Sequence, residues 1–183
     1  MEATEIGGMI FHQTKLEGAF SLDIETFEDN RGFFALSWSQ SEFAKRGLDS
    51  RLTECNISFT KEKGTLRGMH YQAAPHAQAK LVRCTSGSIY DVIIDLRAGS
   101  PTFKNWIGLE LNASNRRMLY VPKDFAHGFV TLEDDTEVFY QMSDPYVSDS
   151  GRGVRWDDRA FGISWPAPVS MINERDRTYA DFE

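Results

Sequence analysis

One short stretch of the chain concentrates groups that could move a proton. It reads Arg67-Gly68-Met69-His70-Tyr71-Gln72 and is followed by Lys80. Histidine has the ordinary pKa that suits proton abstraction at neutral pH, and a nearby lysine can stabilise the charge of a developing enolate. Arginine binds phosphate through paired hydrogen bonds. These residue types together suit removal of a proton from a carbon beside a carbonyl group on a phosphorylated substrate.

Each of these residues also has an ordinary structural explanation. A single histidine such as His70 is more often a hydrogen-bonded core residue, Lys80 a solvated strand-edge lysine, and Tyr140 a packed core residue. If the stretch around His70 is a strand, its side chains alternate between two faces. The pattern then predicts His70 and Gln72 on one face, lining a cavity, and Arg67 on the opposite face.

The histidine spacing argues against a metal in this cavity. Small β-barrels often hold a metal through a His-x-His pair, but the position two after His70 is Gln72. His127 could be a second ligand, yet no third ligand has matching spacing, and metal sites generally need three or four. His12 and His76 stand in polar, turn-like segments. The sequence therefore predicts a metal-free cavity.

Composition narrows the class of protein. The 183 residues carry a net charge of −7, which argues against nucleic-acid binding. Cys55 and Cys84 have neither CxxC nor zinc spacing, which indicates a reduced, cytoplasmic protein. There is no apolar run of the roughly 20 residues needed to span a membrane, and residues 1–11 lack the features of a secretory signal. With no internal repeat or linker, residues 1–183 are predicted to form a single domain.

Short β-branched and aromatic runs separated by Gly, Asn, Asp and Ser indicate an all-β protein. Three pairs of runs, each joined by a short turn, are predicted hairpins, with turns at residues 85–87, 112–115 and 133–135. Many short strands at regular spacing suit either a sandwich or a jelly-roll barrel.

Two short helices are predicted outside the strands. Ser39 followed by Glu42 is a capping-box pattern, Phe43 can face inward, and Gly47 is a natural stop. The polar C-terminal stretch, residues 170–183, can hold a second short helix and a tail. It contains Asp176, which could orient His70.

The motifs taken together resemble the dTDP-4-dehydrorhamnose 3,5-epimerase family. The resemblance runs from about residue 15 to the end, in order and with near-family spacing, which makes it far more specific than any single motif. The matching segments are residues 29–34, 64–72, 78–83, 91–92, 100–103, 122–129, 137–140, 156–158, 163–166 and 174–176.

The resemblance implies a cupin-like jelly roll, a homodimer, no cofactor and a nucleotide-diphosphate sugar as substrate. It implies that His70 is the base, held by Asp176, and that Tyr140 is the acid on the opposite face of the sugar. The substrate side chains implied are Lys80 and His127 near a 4-keto oxygen, Arg31 and Arg67 on the nucleotide sugar, and Asn56, Gln72, Tyr146 and Arg175 around them. Tyr146 could stack on the nucleotide base or merely cover a core edge.

Several positions depart from the family pattern. Leu36 and Gly151 stand where glutamates are usual, Glu54-Cys55 replaces Gln-Asp, and Arg175 replaces lysine. All belong to recognition rather than to proton transfer, so the alternatives are a single-centre epimerase or a different nucleotide-linked 4-keto sugar. A sugar 3,4-ketoisomerase and a non-catalytic sugar-nucleotide-binding cupin are disfavoured, because the base, the acid and the aspartate are all present.

Overall fold

The computed structural model describes residues 8–182, in which strands dominate. Residues 1–7, part of the stretch where no secretory signal is predicted, and Glu183 lie outside the described residues. In chain order the strands are β1 (Met9–Gln13), β2 (Phe20–Ile24), β3 (Thr26–Asp29), β4 (Gly32–Ala35), β5 (Glu54–Thr60), β6 (Thr65–Gln72), β7 (Lys80–Ser86), β8 (Ser88–Asp95), β9 (Trp106–Asn112), β10 (Met118–Val121), β11 (Phe125–Thr131), β12 (Thr136–Met142), β13 (Gly151–Gly153) and β14 (Met171–Ile172).

The strands of the described chain form two large sheets and one small one. The first sheet has the order β1-β2-β10-β7-β12-β5, and all its pairs are antiparallel. The second sheet has the order β13-β6-β11-β8-β9, and β14 adds a parallel pair beside β6. Strands β3 and β4 form a separate hairpin. The all-β fold is thus confirmed, with the architecture of a cupin-like jelly roll.

The principal core lies between the two large sheets. Val82 and Val138 come from the first sheet, and Ile93, Phe125 and Phe129 from the second, and each is at most 2% exposed. Alternation along the strands points these side chains inward, and their burial supplies most of the drive to pack one sheet on the other. The same packing creates a space between the sheets toward one end, where polar side chains replace apolar ones.

Helix α1 (Gln40–Lys45) covers the outer face of the first sheet and confirms the capping prediction. The Ser39 hydroxyl accepts the backbone N–H of Glu42, and Phe43 is 1% exposed. Gly47 ends the helix with φ +69°, a conformation that favours glycine. The predicted C-terminal helix is also present as α2 (Glu174–Arg177), and Asn173 caps it.

The three predicted hairpins are wrong, although their strands and turns are present. Each turn connects strands in different sheets: β7 to β8, β9 to β10, and β11 to β12. Turn residues favour a reversal of chain direction but do not fix which strand the returning chain pairs with. Apart from β8 with β9, these strands pair with strands that are distant in sequence, as in β12 with β5 and β11 with β6.

No helix within residues 8–182 is long and apolar enough to cross a membrane.

Candidate active site

Strand β6 is the centre of the site, and an irregularity in it decides which side chains face the cavity. Arg67 pairs with Phe129 and His70 with His127, so the β6–β11 register shifts between them. Between these two pairs β6 contains one more residue than β11, which is a β-bulge. The prediction that Arg67 and His70 lie on opposite faces is wrong, because the bulge breaks the alternation and both side chains line the same cavity.

Gly68 makes the bulge possible. It has φ +138°, and a Cβ at this position would lie 2.5 Å from the Cα of Gly128. Only a residue without a side chain permits this approach of the two backbones. Two glycines that face each other on neighbouring strands are thus part of the reason that Arg67 reaches the cavity.

His70 is held from behind by a buried carboxylate. Its Nε2 lies 2.6 Å from Oδ1 of Asp176, while Oδ2 accepts the backbone N–H of Gly68 at 3.1 Å. The Asp176 side chain is 0% exposed and that of His70 is 41% exposed. Because a carboxylate only accepts hydrogen bonds, Nε2 is the donor and Nδ1 is left as the basic nitrogen.

The position of Asp176 follows from the cap of α2. The Asn173 side chain accepts the backbone N–H of Asp176 at 2.7 Å, which fixes the first turn of the helix. β14, just before the helix, pairs with β6 and brings the C-terminal segment against the strand that carries His70. A residue 106 positions away in sequence therefore reaches the imidazole.

A second histidine–aspartate pair was not predicted from the sequence. His127 Nε2 lies 2.7 Å from Oδ1 of Asp91, and both side chains are buried. Oδ2 of Asp91 is buried with no hydrogen-bond partner in the described residues. The available signal was an aspartate in the middle of the apolar strand β8, a position where an unpaired charge is costly.

Lys80 and Tyr140 enter the cavity from the first sheet. Burial lowers the pKa of Lys80 to about 8, against a smaller opposing effect of Asp91. Burial raises the pKa of Tyr140 well above its ordinary value, the charge of Asp91 adds to this, and a hydrogen bond with Ser58 opposes it. The phenol therefore keeps its proton at neutral pH, whereas the ammonium can lose its proton in mild alkali.

One cavity between the two sheets has a volume of about 170 Å³. His70 and His127 contribute from the second sheet, Lys80 and Tyr140 from the first, and the rings of His127 and Tyr140 are 6.1 Å apart. The side chains that line it are Asn56, Arg67, His70, Lys80, His127, Phe129, Tyr140 and Met142. A base on one sheet thus faces a proton donor on the other, and Nζ of Lys80, on β7, donates to the backbone oxygen of His70 at 3.4 Å. Proton removal and return on two faces of one carbon require such an arrangement.

A second cavity of about 210 Å³ shares His70, Lys80 and Met142 with the first. Tyr146, 58% exposed, and Arg175 line this second cavity. Gln72 also contributes to its wall, but its amide is used internally: it donates to His76 O and Pro145 O and accepts Val147 N–H. Gln72 therefore holds the adjoining loops in place.

Arg31 is a predicted site residue that the fold does not bring to either of the two cavities. It lies between β3 and β4, bonds to Asp29 at 2.5 Å, and is exposed. It lines a surface depression formed by the hairpin itself and neither of the two cavities described above. The side chains of Phe27, Phe33 and Phe34 on the same hairpin are exposed.

Two of the departures from the family pattern, Gly151 and Arg175, line the second cavity. A Cβ at Gly151 would be 3.4 Å from Nη2 of Arg175. Glu54 accepts the backbone N–H of Tyr146 at 3.3 Å. Cys55 is exposed and Cys84 is buried.

The part of the chain that the structure describes contains no group of three or more His, Cys, Asp or Glu side chains arranged to hold a metal ion.

A jelly roll whose facing sheets carry a His–Asp pair, a lysine and a phenol has the architecture of a cupin-like isomerase that acts by proton transfer. The family model for dTDP-4-dehydrorhamnose 3,5-epimerase matches residues 13–183, and the chain belongs to that family of isomerases.

Relatives agree with this assignment over nearly the whole chain. The chain is 40% identical to the dTDP-4-dehydrorhamnose 3,5-epimerase of Sinorhizobium fredii, covering 96% of this chain and 91% of that one. The crystal structure of the Bacillus anthracis dTDP-4-dehydrorhamnose 3,5-epimerase, with TDP and PPi bound, superposes with a TM-score of 0.91 at 40% identity, over 96% of this chain and 100% of that one.

A related enzyme of different outcome has the same fold. ChmJ, a 3'-monoepimerase from Streptomyces bikiniensis solved in complex with dTDP-quinovose, superposes with a TM-score of 0.82 at 29% identity, over 90% of this chain and 84% of that one.

Proposed function

We propose that this chain, acting as a single domain, epimerises a nucleotide-linked 4-keto-6-deoxyhexose at carbons 3 and 5. The leading substrate is dTDP-4-dehydro-6-deoxyglucose, converted to dTDP-4-dehydro-L-rhamnose. The observation that carries the proposal is the pair His70–Asp176 on one sheet facing Tyr140 on the other across one cavity. Family membership and the complexes of relatives with TDP and dTDP-linked sugars support the substrate class.

The chemistry follows from the keto group. It acidifies the hydrogens on carbons 3 and 5, and Nδ1 of His70 removes one of them. The electron pair of the broken C–H bond moves into an enolate whose oxygen Lys80 stabilises, with His127 beside it. Tyr140 then donates its proton to the opposite face of the same carbon, which inverts the centre, and the cycle repeats at the second carbon.

The positions of the protons after one inversion predict that substrate hydrogens exchange with solvent. After one inversion His70 holds the substrate proton and Tyr140 is a phenolate, so both must be reset before the next step. The side chain of His70 is 41% exposed, so it can release its proton to water. Tyr140 is reloaded from the same pool, and each inverted carbon acquires a solvent hydrogen.

Substrate binding is divided between the two cavities in this proposal. Arg67 and Asn56 would contact the sugar and phosphates in the first cavity. Tyr146 and Arg175 would contact the nucleotide in the second, Tyr146 by stacking and Arg175 by pairing with phosphate. Gln72 would hold the adjoining loops in place rather than contact the substrate directly.

The homodimer is also part of the proposal. Exposed phenylalanines on the β3–β4 hairpin, together with exposed Ile57 and Phe59 on the edge strand β5, form apolar surface that a second copy can cover. Arg31 sits on the same hairpin and would then serve the site of the other copy. Light scattering should give twice the chain mass, and a monomer at micromolar concentration would reject the dimer.

The decisive experiment is solvent deuterium incorporation. The protein is incubated with dTDP-4-dehydro-6-deoxyglucose in heavy water, and the sugar protons are followed by NMR. Label at carbons 3 and 5 supports the double epimerase. His70→Ala should lose the label. Tyr140→Phe should lose the inversion, although His70 can still exchange the hydrogen on its own face, and full activity in both variants would reject the mechanism.

Two other outcomes distinguish the alternatives. Label at one carbon alone would indicate a single-centre epimerase, the outcome named for the Streptomyces bikiniensis neighbour. No label at either carbon directs attention to Leu36, Glu54, Cys55 and Gly151 and to a different nucleotide sugar. A panel of nucleotide-linked 4-keto sugars then separates an altered substrate from a non-catalytic sugar-nucleotide-binding protein.

A further inference from the structure

Tyr179 follows α2 by two residues, and its ring lies against the imidazole of His70. The two ring centroids are 6.4 Å apart and the planes meet at 74°, an edge-to-face arrangement that aromatic rings prefer. Asp176, three residues earlier, bonds to the same imidazole. The C-terminal segment therefore contacts His70 through a carboxylate and through an aromatic ring.

The space for this ring exists because position 153 carries no side chain. A Cβ at Gly153 would lie 2.2 Å from Cζ of Tyr179 and 2.6 Å from its hydroxyl oxygen. Gly153 is the register partner of His70 in the β13–β6 pair. The Tyr179 ring thus lies over the backbone directly beside His70, where any larger residue would displace it.

The ring rather than the hydroxyl makes this contact. The Tyr179 hydroxyl is buried and forms no well-aligned hydrogen bond with the described residues. The guanidinium carbon of Arg175 lies 5.9 Å from the ring centroid on the way to the second cavity. Tyr179 therefore touches two groups of the site, the imidazole and Arg175, and reaches neither cavity itself.

We propose that Tyr179 is a positioning residue for His70, an inference that rests on the proposed role of His70 as the base. The hydrogen bond that Nε2 donates to Asp176 fixes one ring nitrogen but leaves the imidazole free to tilt about that bond. The Tyr179 ring sterically blocks this tilting of the imidazole and keeps Nδ1 directed into the cavity. A base that must reach hydrogens on two different carbons gains from a fixed orientation, since a misplacement of about 1 Å can cost roughly 100-fold in rate.

Three variants test the role. Tyr179→Leu removes the ring, Tyr179→Phe keeps it without the hydroxyl, and Gly153→Ala displaces it while every atom of Tyr179 remains. The matched control is Asp181→Asn, an exposed residue of the same segment. We expect kcat to fall about 10-fold or more in Tyr179→Leu and Gly153→Ala, with KM changed less than about 2-fold. Tyr179→Phe and the control should stay within about 2-fold of the parent.

Several results would overturn the inference. An unchanged kcat in Tyr179→Leu would do so, as would a rise in KM alone, which would mean that the ring acts only through Arg175. Equal losses in Tyr179→Phe and Tyr179→Leu would assign the effect to the hydroxyl.

A second readout does not depend on turnover. In the folded, ligand-free protein the imidazole proton signals of His70 should shift in Tyr179→Leu and Gly153→Ala and stay in place in Asp181→Asn. Thermal melting confirms that each variant is folded. If the parent protein shows no solvent exchange with any sugar of the panel, the proposed function fails while this measurement still tests the contact. Unchanged His70 signals would reject the contact.

Discussion

His70 and His127 are register partners on β6 and β11, yet each ring bonds to a different buried aspartate. His70 keeps an exposed edge toward the cavity, whereas His127 is 4% exposed. Burial lowers the pKa of His127, although Asp91 opposes this. Two histidines side by side therefore differ in solvent access and in the group that orients each, and only His70 has a route for returning a proton to water.

Asp176→Asn should lower kcat by about 10²–10⁴-fold, the range for loss of a working acid–base group. The amide can turn its NH₂ group toward Nε2 and so favour the wrong tautomer of His70. Steady-state epimerisation kinetics measure the loss, and calorimetry with dTDP should show that nucleotide binding survives. Asp157→Asn, an exposed carboxylate, is the matched control. Full turnover in Asp176→Asn would contradict the role given to this aspartate.

Lys80→Met should lower kcat by roughly 10²–10³-fold, because the developing enolate loses its cation. The parent enzyme should also lose activity above about pH 8, where burial lets Lys80 release its proton. A pH–rate profile of the parent with no alkaline decline near this value would argue against a required Lys80 ammonium.

The same substitution has a separate effect on stability. The pKa of Lys80 is about 8 in the folded protein and about 10.5 for a solvent-exposed lysine, so the unfolded chain binds more protons between these limits. The stability of the parent therefore rises with pH across this window, and Lys80→Met should lack the rise. Urea unfolding at pH 7 and pH 10 measures the difference. Parallel pH dependence in parent and variant would mean that Lys80 is not buried as described.

Gly68→Ala should destabilise the fold by about 2 kcal/mol or more and reduce activity as well. The new Cβ would meet the Cα of Gly128 at 2.5 Å, and φ +138° is strained for any side chain. Gly99→Ala is the control, because a Cβ there meets nothing within 4 Å. Urea unfolding compares the two, and equal stabilities would show that the bulge does not need glycine.

Asp95→Asn should destabilise the protein by about 2 kcal/mol near neutral pH while leaving kcat unchanged. Burial alone would raise the pKa of Asp95, but hydrogen bonds from Arg97, Ser100 and Thr102 outweigh it and lower the pKa to about 2. The carboxylate therefore contributes stability that is complete above about pH 4 and is lost as the pH falls toward 2. Denaturation at pH 7 and pH 2.5 should show the gap narrowing, and a constant gap would contradict this origin.

Local sequence patterns correctly predicted several elements of the structure. The Ser39–Glu42 cap, the stop at Gly47 and the C-terminal helix are all present, because capping chemistry acts within a few residues. The resemblance to the family also predicted that His70, Lys80 and Tyr140 form one site, and the fold brings all three to one cavity.

Other features depend on long-range packing and could not be read from local patterns. The β6 bulge moves Arg67 to the face of His70, and it depends on the close approach of Gly68 to Gly128, a glycine on a neighbouring strand far along the chain. The role of Asp91 is recognisable only from its hydrogen bond with His127, 36 residues away. The sheet partner of each strand depends on the packing of the whole core, which turn residues do not encode.

The turns that cross between the sheets have a consequence for how the chain folds. From β5 to β13, successive strands lie in opposite layers except for β8 and β9, so β2 must find β10 and β5 must find β12 before either ladder can form. Closing such large loops costs entropy before any contact repays it, and β-rich topologies of this kind fold in roughly milliseconds to seconds. We expect a single slow refolding step in which tryptophan fluorescence, backbone dichroism and the ability to bind nucleotide return together, because neither sheet that holds the cavity is stable without the other.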